Sequence, residues 1–311
     1  MPRLTRLSDL PYLLLLFPPL FWAGNVIVGR AVRGEIPPLS LNWWRWSVAT
    51  LILLVVLHRP FWRQRMLLLR HWRLMLLLAA TGFLIFHSAV YIGLTETTAL
   101  NAALIIALGP VLIVPLAWAM LGERATGLQL LGVAVSCVGA AVVITRGELA
   151  VLTSLAFNRG DLWLLLASAC WAVYSVMLKR KPPAMDGSAL LVAITLLGAV
   201  LSMPFYLWEM ARGLSVPPTW ESAAAIGYVS VFAGVLANAA WNRGIALVGP
   251  NKAGLFLHLI PVYTVVLASL FLGEQVRLYH LGGVLLIVLG IVLTTRFGPK
   301  AAAALSSAKT R

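Results

Sequence analysis

One stretch of this chain occurs twice, 151 residues apart, and the repeat narrows the possible folds sharply. Residues 97–123 read TTALNAALIIALGPVLIVPLAWAMLGE, and residues 248–274 read VGPNKAGLFLHLIPVYTVVLASLFLGE. Pro261 falls on Pro110, and Leu272-Gly273-Glu274 falls on Leu121-Gly122-Glu123. The register continues past the glutamates, where Leu130, Gly132, Val133 and Gly139 fall on Leu281, Gly283, Val284 and Gly290. Each copy is apolar over the ~20 residues that a helix needs to cross a bilayer. A fixed offset without a gap, held across two spans and the turn between them, marks a duplicated membrane protein.

Apolar runs place ten membrane-crossing helices at about 10–30, 38–57, 72–93, 97–121, 126–145, 161–179, 187–208, 222–243, 251–272 and 278–296. Only 11% of the residues are charged, against roughly 25% in soluble domains. A β-barrel would show ~10-residue alternating segments, whereas these runs are continuously apolar. The expected fold is therefore all-α and membrane-integral, with ten transmembrane helices in two five-helix repeats. The first repeat covers 1–146, a connecting loop 147–159, the second repeat 160–296 and a tail 297–311. Cys137 and Cys170 lie within spans and offer no disulfide framework. Phe21-Trp22-Ala23-Gly24-Asn25 is not a small-residue cleavage site, so the first apolar run reads as an uncleaved helix.

The basic residues set the orientation. One side holds 17 of the 24: Arg3, Arg6, the five arginines from Arg59 to Arg73, Arg124, Lys179, Arg180, Lys181, Arg243, Lys252 and four from Arg296 to Arg311. The other side holds the six residues Arg30, Arg33, Arg146, Arg159, Arg212 and Arg277. The positive-inside rule then puts both termini in the cytoplasm. It also accounts for the net charge of +14, and no nucleic-acid partner is expected. Because five is odd, the second copy enters from the opposite face, so the repeats are inverted. In such architectures solute sites lie near the midplane, where the repeats meet.

Polar and aromatic residues deep in the spans are the candidates for lining that site. Trp22 and Asn25 share a face of the first helix, and Trp171 and Tyr174 repeat the spacing on the sixth. His87 and Tyr91 on the third helix map at offset 151 onto Asn238 and Asn242 on the eighth, with Trp241 beside them. Asn101 on the fourth and His258 on the ninth complete the set. Each can also be read as an ordinary interhelical hydrogen bond. Trp43, Trp44, Trp46, Trp62, Trp72, Trp163 and Trp220 fall near helix ends and read as an interfacial belt. Arg45, a few residues inside the outer end of the second helix, has two readings: a side chain that snorkels to the surface, or a charge that attracts a carboxylate. Gly109, Pro110 and Pro261 are expected hinges, because proline removes a backbone bond. Depth places Asn25, His87, Tyr91 and Asn101 in the outer half, and Asn238, Trp241, Asn242 and His258 in the inner half. The small residues Gly132, Ser136, Gly139, Gly283 and Gly290 suit close helix packing, within one chain or between copies.

The sequence also resembles the drug/metabolite transporter superfamily, and within it the EamA-type exporters with two five-helix repeats. The likeness rests on Thr98-Ala99-Leu100-Asn101-Ala102-Ala103 through Pro110 to Gly132, on Pro261 through Gly290, on the Trp22-Ala23 and Trp171-Ala172 pairs, and on Arg45. It implies export of small organic solutes across a bacterial inner membrane by alternating access. Amino acids come first among these, with aromatic ones favoured by the Trp and Tyr lining. Small multidrug pumps of the superfamily depend on a glutamate within the first helix, where this chain has Asn25, so cationic drugs are not the expected cargo. No Asp or Glu lies near the middle of a span, and no metal-ligand cluster, phosphate loop or nucleophile–base pair is evident. No cofactor and no enzymatic activity are expected. A flippase of the same fold and an intramembrane enzyme are the alternative classes. The expected partners are a small-molecule solute and the lipid bilayer, with the protein a monomer or homodimer.

Overall fold

The computed structural model describes residues 10–32, 34–97, 99–148, 150–151, 157–272 and 277–296. Its helices, numbered in chain order, are α1 (Pro11–Leu14 and Phe17–Ala31), α2 (Pro38–Arg70), α3 (Trp72–Glu96), α4 (Ala99–Ala107 and Gly109–Leu121) and α5 (Gly127–Ile144). The second repeat follows with α6 (Arg159–Met177), α7 (Gly187–Ala211), α8 (Trp220–Val248), α9 (Pro250–Gly254, Leu255–His258 and Leu259–Leu272) and α10 (Leu278–Arg296). These are the ten expected segments, in two inverted blocks of five. Gly273 and Glu274, like Thr98, lie outside the described residues.

One boundary differs substantially. The second helix was expected to end near residue 57, but α2 continues to Arg70 across a kink at Leu57, whose ψ of 22° leaves the helical range. Pro60, three residues on, occupies the first turn of the continuation, where its missing N–H costs no bond. Gln64 anchors this extension: its side chain donates to Ala184 O at 3.0 Å and accepts from Asp186 N at 2.7 Å. The arginine-rich segment read as a loop is a helix running out of the spanning part.

The repeat symmetry extends to backbone detail. α4 breaks at Leu108 (φ −75°, ψ −7°), and α9 breaks at Leu259 (φ −76°, ψ −14°), 151 residues later. Each break sits just before the expected proline. The starts of α5 and α10 also match. Gln129 Oε1 accepts from Thr126 N at 2.9 Å, and His280 Nδ1 accepts from Arg277 N at 2.9 Å.

α5 and α10 form the tightest seam, within one chain. A methyl group on Gly132 would lie 2.7 Å from Gly290 O, and one on Gly139 would lie 2.7 Å from Gly283 O. Since Gly132 is the repeat mate of Gly283 and Gly139 that of Gly290, the contact maps onto itself under the pseudo-two-fold. Backbones approach this closely only where the side chain is absent.

Candidate functional site

The centre of the molecule is built from two irregular turns. α3 widens into a π-helical turn over Ala80–Ile85 and α8 over Val229–Leu236, again at corresponding positions. A π-turn interrupts the regular i−4 ladder and leaves carbonyls for side chains. Gly82 O accepts from His87 Nδ1 at 3.0 Å, and its mate Ala233 O accepts from Asn238 Nδ2 at 3.2 Å. The expected mates His87 and Asn238 thus make the same local bond. Asn238 Nδ2 also reaches Gly234 O at 2.8 Å, so its amide is committed to its own helix.

A second symmetric pair links each first helix to its third. In the first repeat, the Tyr91 hydroxyl on α3 donates to Asn25 Oδ1 on α1 at 3.3 Å. In the second, the Tyr174 hydroxyl on α6 donates to Asn242 Oδ1 on α8 at 2.7 Å. The same Tyr–Asn bond is made twice with the two residues exchanged between helices.

Arg45 enters only the first of these pairs. Its Nη1 donates to Asn25 Oδ1 at 3.1 Å and to Tyr91 Oη at 3.2 Å, and its Nη2 donates to Ala233 O at 2.8 Å. Its guanidinium lies 4.7 Å from the centre of the Trp46 ring, and Nε has no partner. The side chain is 0% exposed, which corrects the snorkelling alternative. Trp46, expected in the interfacial belt, is equally buried and donates to Phe83 O at 2.9 Å. The sequence does carry a signal for both. Asn42, Arg45, Trp46, Ala49 and Leu53 are all buried, on the i, i+3, i+4, i+7 face of α2.

Trp22, Trp171 and Trp241 meet beside this cluster, with ring centroids 5.1, 5.4 and 5.8 Å apart. They come from both repeats. Trp22 Nε1 donates to Ala233 O at 3.2 Å, the same carbonyl that holds Arg45, whereas Nε1 of Trp171 and of Trp241 are buried without partners. Phe86 and Tyr174 extend the aromatic cluster from Trp171, at 4.8 and 5.1 Å. A cavity of about 700 Å³ opens at the end of the molecule carrying the α1–α2 and α7–α8 connections, and Tyr91 is among its walls.

Two expected lining residues stand elsewhere. Asn101 Nδ2 donates to both oxygens of Asp161 at 3.0 and 3.2 Å, and Asp161 also accepts from Thr97 Oγ1 at 2.5 Å and Asn158 N at 2.9 Å. This network fastens α6 to the α3–α4 corner. His258 Nε2 donates to Ala107 O at 2.8 Å, and Nδ1 bonds Ser136 Oγ at 2.8 Å, so the ring clamps α9 to α4 and α5. A second buried carboxylate, Glu209, caps α2, accepting from Leu39 N, Ser40 N and Ser40 Oγ at 3.1, 2.7 and 2.6 Å.

A family model, the EamA-like transporter family, matches residues 9–145 and again 158–296. This chain belongs to that family. Among curated relatives, the uncharacterized transporter YyaM of Bacillus subtilis is 28% identical, over 90% of this chain and 92% of its own length. A "probable terminal-alkyne amino-acid exporter" of Streptantibioticus cattleyicolor is 29% identical, over 71% of this chain and 72% of its own. A crystal structure at 19% identity superposes with a TM-score of 0.77, covering 94% of this chain and 98% of that one, and supports the fold. The protein is a multi-pass membrane transporter of the EamA family.

Proposed function

We propose that this transporter exports small neutral or zwitterionic metabolites, amino acids first, across a bacterial inner membrane by alternating access. The observation that carries the reading is the tryptophan trio, which joins both repeats beside a polar cluster where inverted repeats place solute sites. The name of the Streptantibioticus relative supports the substrate class. Trp22, Asn25, His87, Tyr91, Trp171, Tyr174, Trp241 and Asn242 form the lining in this reading. Asn101 and His258 hold together the helices that carry it, and Asn238 braces the π-turn of its own helix. The breaks before Pro110 and Pro261 are the hinges on which the repeats rock, because the helical ladder is already interrupted there.

Purified protein in liposomes, loaded with radiolabelled amino acids, tests the reading. Efflux of aromatic amino acids is expected, and Trp171→Ala should slow it about tenfold more than efflux of alanine, since ring contacts are lost only for the former. No movement of any amino acid would overturn the substrate assignment. Orientation is checked in intact cells after replacing Cys137 and Cys170. A cysteine at the exposed Arg63 should resist impermeant thiol reagents, and one at the exposed Glu148 should react.

A further inference from the structure

We infer that Arg45 is the carboxylate anchor of the transport site, so that cargo must carry an anionic group beside its apolar part. The inference narrows the transport reading to solutes that bear a carboxylate, zwitterions included, and rests on it for the location of the site.

The argument begins with an uncompensated charge. Arg45 is wholly enclosed about 10 Å along α2 from its start, given 1.5 Å per residue. Its three hydrogen bonds all go to neutral oxygens, and it forms no ion pair among the described residues. The two buried carboxylates among the described residues are committed elsewhere: Asp161 to Thr97, Asn101 and Asn158, and Glu209 to the start of α2. A guanidinium withdrawn from water without a counter-charge is costly, and arginine is the side chain best shaped to receive a carboxylate on two N–H groups.

The scaffold does not require this charge. Offsets of 149 and 151 from Arg45 fall on Ile194 and Leu196, both apolar, yet the second repeat still forms its Tyr–Asn bond. The arginine is an addition to one half of a symmetric frame. It stands one residue behind the cavity wall. Tyr91 is among the walls of the 700 Å³ cavity, and its hydroxyl accepts from Arg45 Nη1. The two bonds on Nη1 are long, at 3.1 and 3.2 Å, and an entering carboxylate replaces them with a shorter charge-assisted pair. Ala233 O, bonded to both Arg45 and Trp22, fixes the guanidinium beside the tryptophan trio. An anionic group on Arg45 therefore puts an attached apolar group against indole rings.

Three radiolabelled probes separate the features: 3-phenylpropionate, its amide, and phenethylamine. Binding to purified wild-type protein is measured by scintillation proximity. The carboxylate should bind at least about tenfold more tightly than either neutral or cationic analogue. Arg45→Gln should abolish that preference and Arg45→Lys retain part of it, with folding of both verified by thermal melting. Amide or amine binding within about twofold of the carboxylate by wild type, or failure of all three to bind, overturns the inference without requiring any variant to fold. So does a folded Arg45→Gln protein that keeps the preference. If amino acids cross liposomes but the probes show no Arg45-dependent selectivity, only the anchor fails. If the carboxylate binds through Arg45 yet no amino acid is transported, the anchor stands and the substrate class of the transport reading fails.

Discussion

The two repeats share a frame and differ at its centre. Both contain a π-turn in their third helix, a side chain five residues on that bonds the freed carbonyl, and one Tyr–Asn hydrogen bond to their first helix. In the first repeat that pair is loaded with a buried arginine; in the second it closes on itself, with the shorter bond of 2.7 Å against 3.3 Å. Shared features describe what the fold needs, and the unshared one describes what has been added to it. By that criterion Arg45 is an addition to the shared Tyr–Asn frame at the centre of the molecule.

The comparison can be broken at its symmetric part first. Gly132→Leu and Gly283→Leu are repeat mates in the seam, where even a methyl group would lie 2.2 Å from Thr294 Oγ1 and 2.4 Å from Val143 Cγ2, respectively. Both should cost about 3 kcal/mol, seen as loss of monodisperse protein or a large fall in melting temperature. If one is tolerated and the other is not, the seam is not the symmetric element described above.

The asymmetric part gives a smaller, directional effect. Asn25→Ala removes an acceptor from both Tyr91 and Arg45, so it should cost about 2 kcal/mol, the larger value for a bond to a charged group. Asn242→Ala removes one neutral bond and should cost about 1 kcal/mol. Equal melting shifts for the two variants would mean that Arg45 does not lean on Asn25.

The smallest effect is at the helix starts. Gln129→Ala and His280→Ala each remove the side chain that accepts from the backbone three residues earlier. Each should lower stability by roughly 0.5 kcal/mol, near the resolution of a melting curve. A His280→Gln protein as stable as the parent would sharpen the equivalence of the two caps.

Much of this organisation is legible in the sequence because it depends on span length and on a fixed offset. The ten segments and the inverted blocks follow from those two properties, and the breaks before Pro110 and Pro261 follow from proline's missing backbone donor. The bonding of individual polar residues does not. Asn101 and Asn25 look alike on their helical faces, yet one meets Asp161 from a distant helix and the other meets Arg45. The π-turns are invisible to a 3.6-residue reading, so the carbonyls at Gly82, Phe83 and Ala233 could not be anticipated as acceptors. Proximity to a helix end puts Trp46 in the belt and suggests snorkelling for Arg45, whereas both residues share a buried face with Asn42 and Ala49.

His258 donates to Ala107 O, and those two positions are also 151 residues apart. Each is therefore the other's mate, and the pseudo-two-fold axis passes between them. Two identical five-helix chains assembled around that axis would have to place the same residue on both sides of it. Two histidines would crowd one gap with two rings, and two alanines would leave both carbonyls facing each other unmet. A single chain containing both halves escapes the restriction, with a donor on one side and a bare carbonyl on the other. The joint at the centre of the molecule is thus one that two identical halves cannot make.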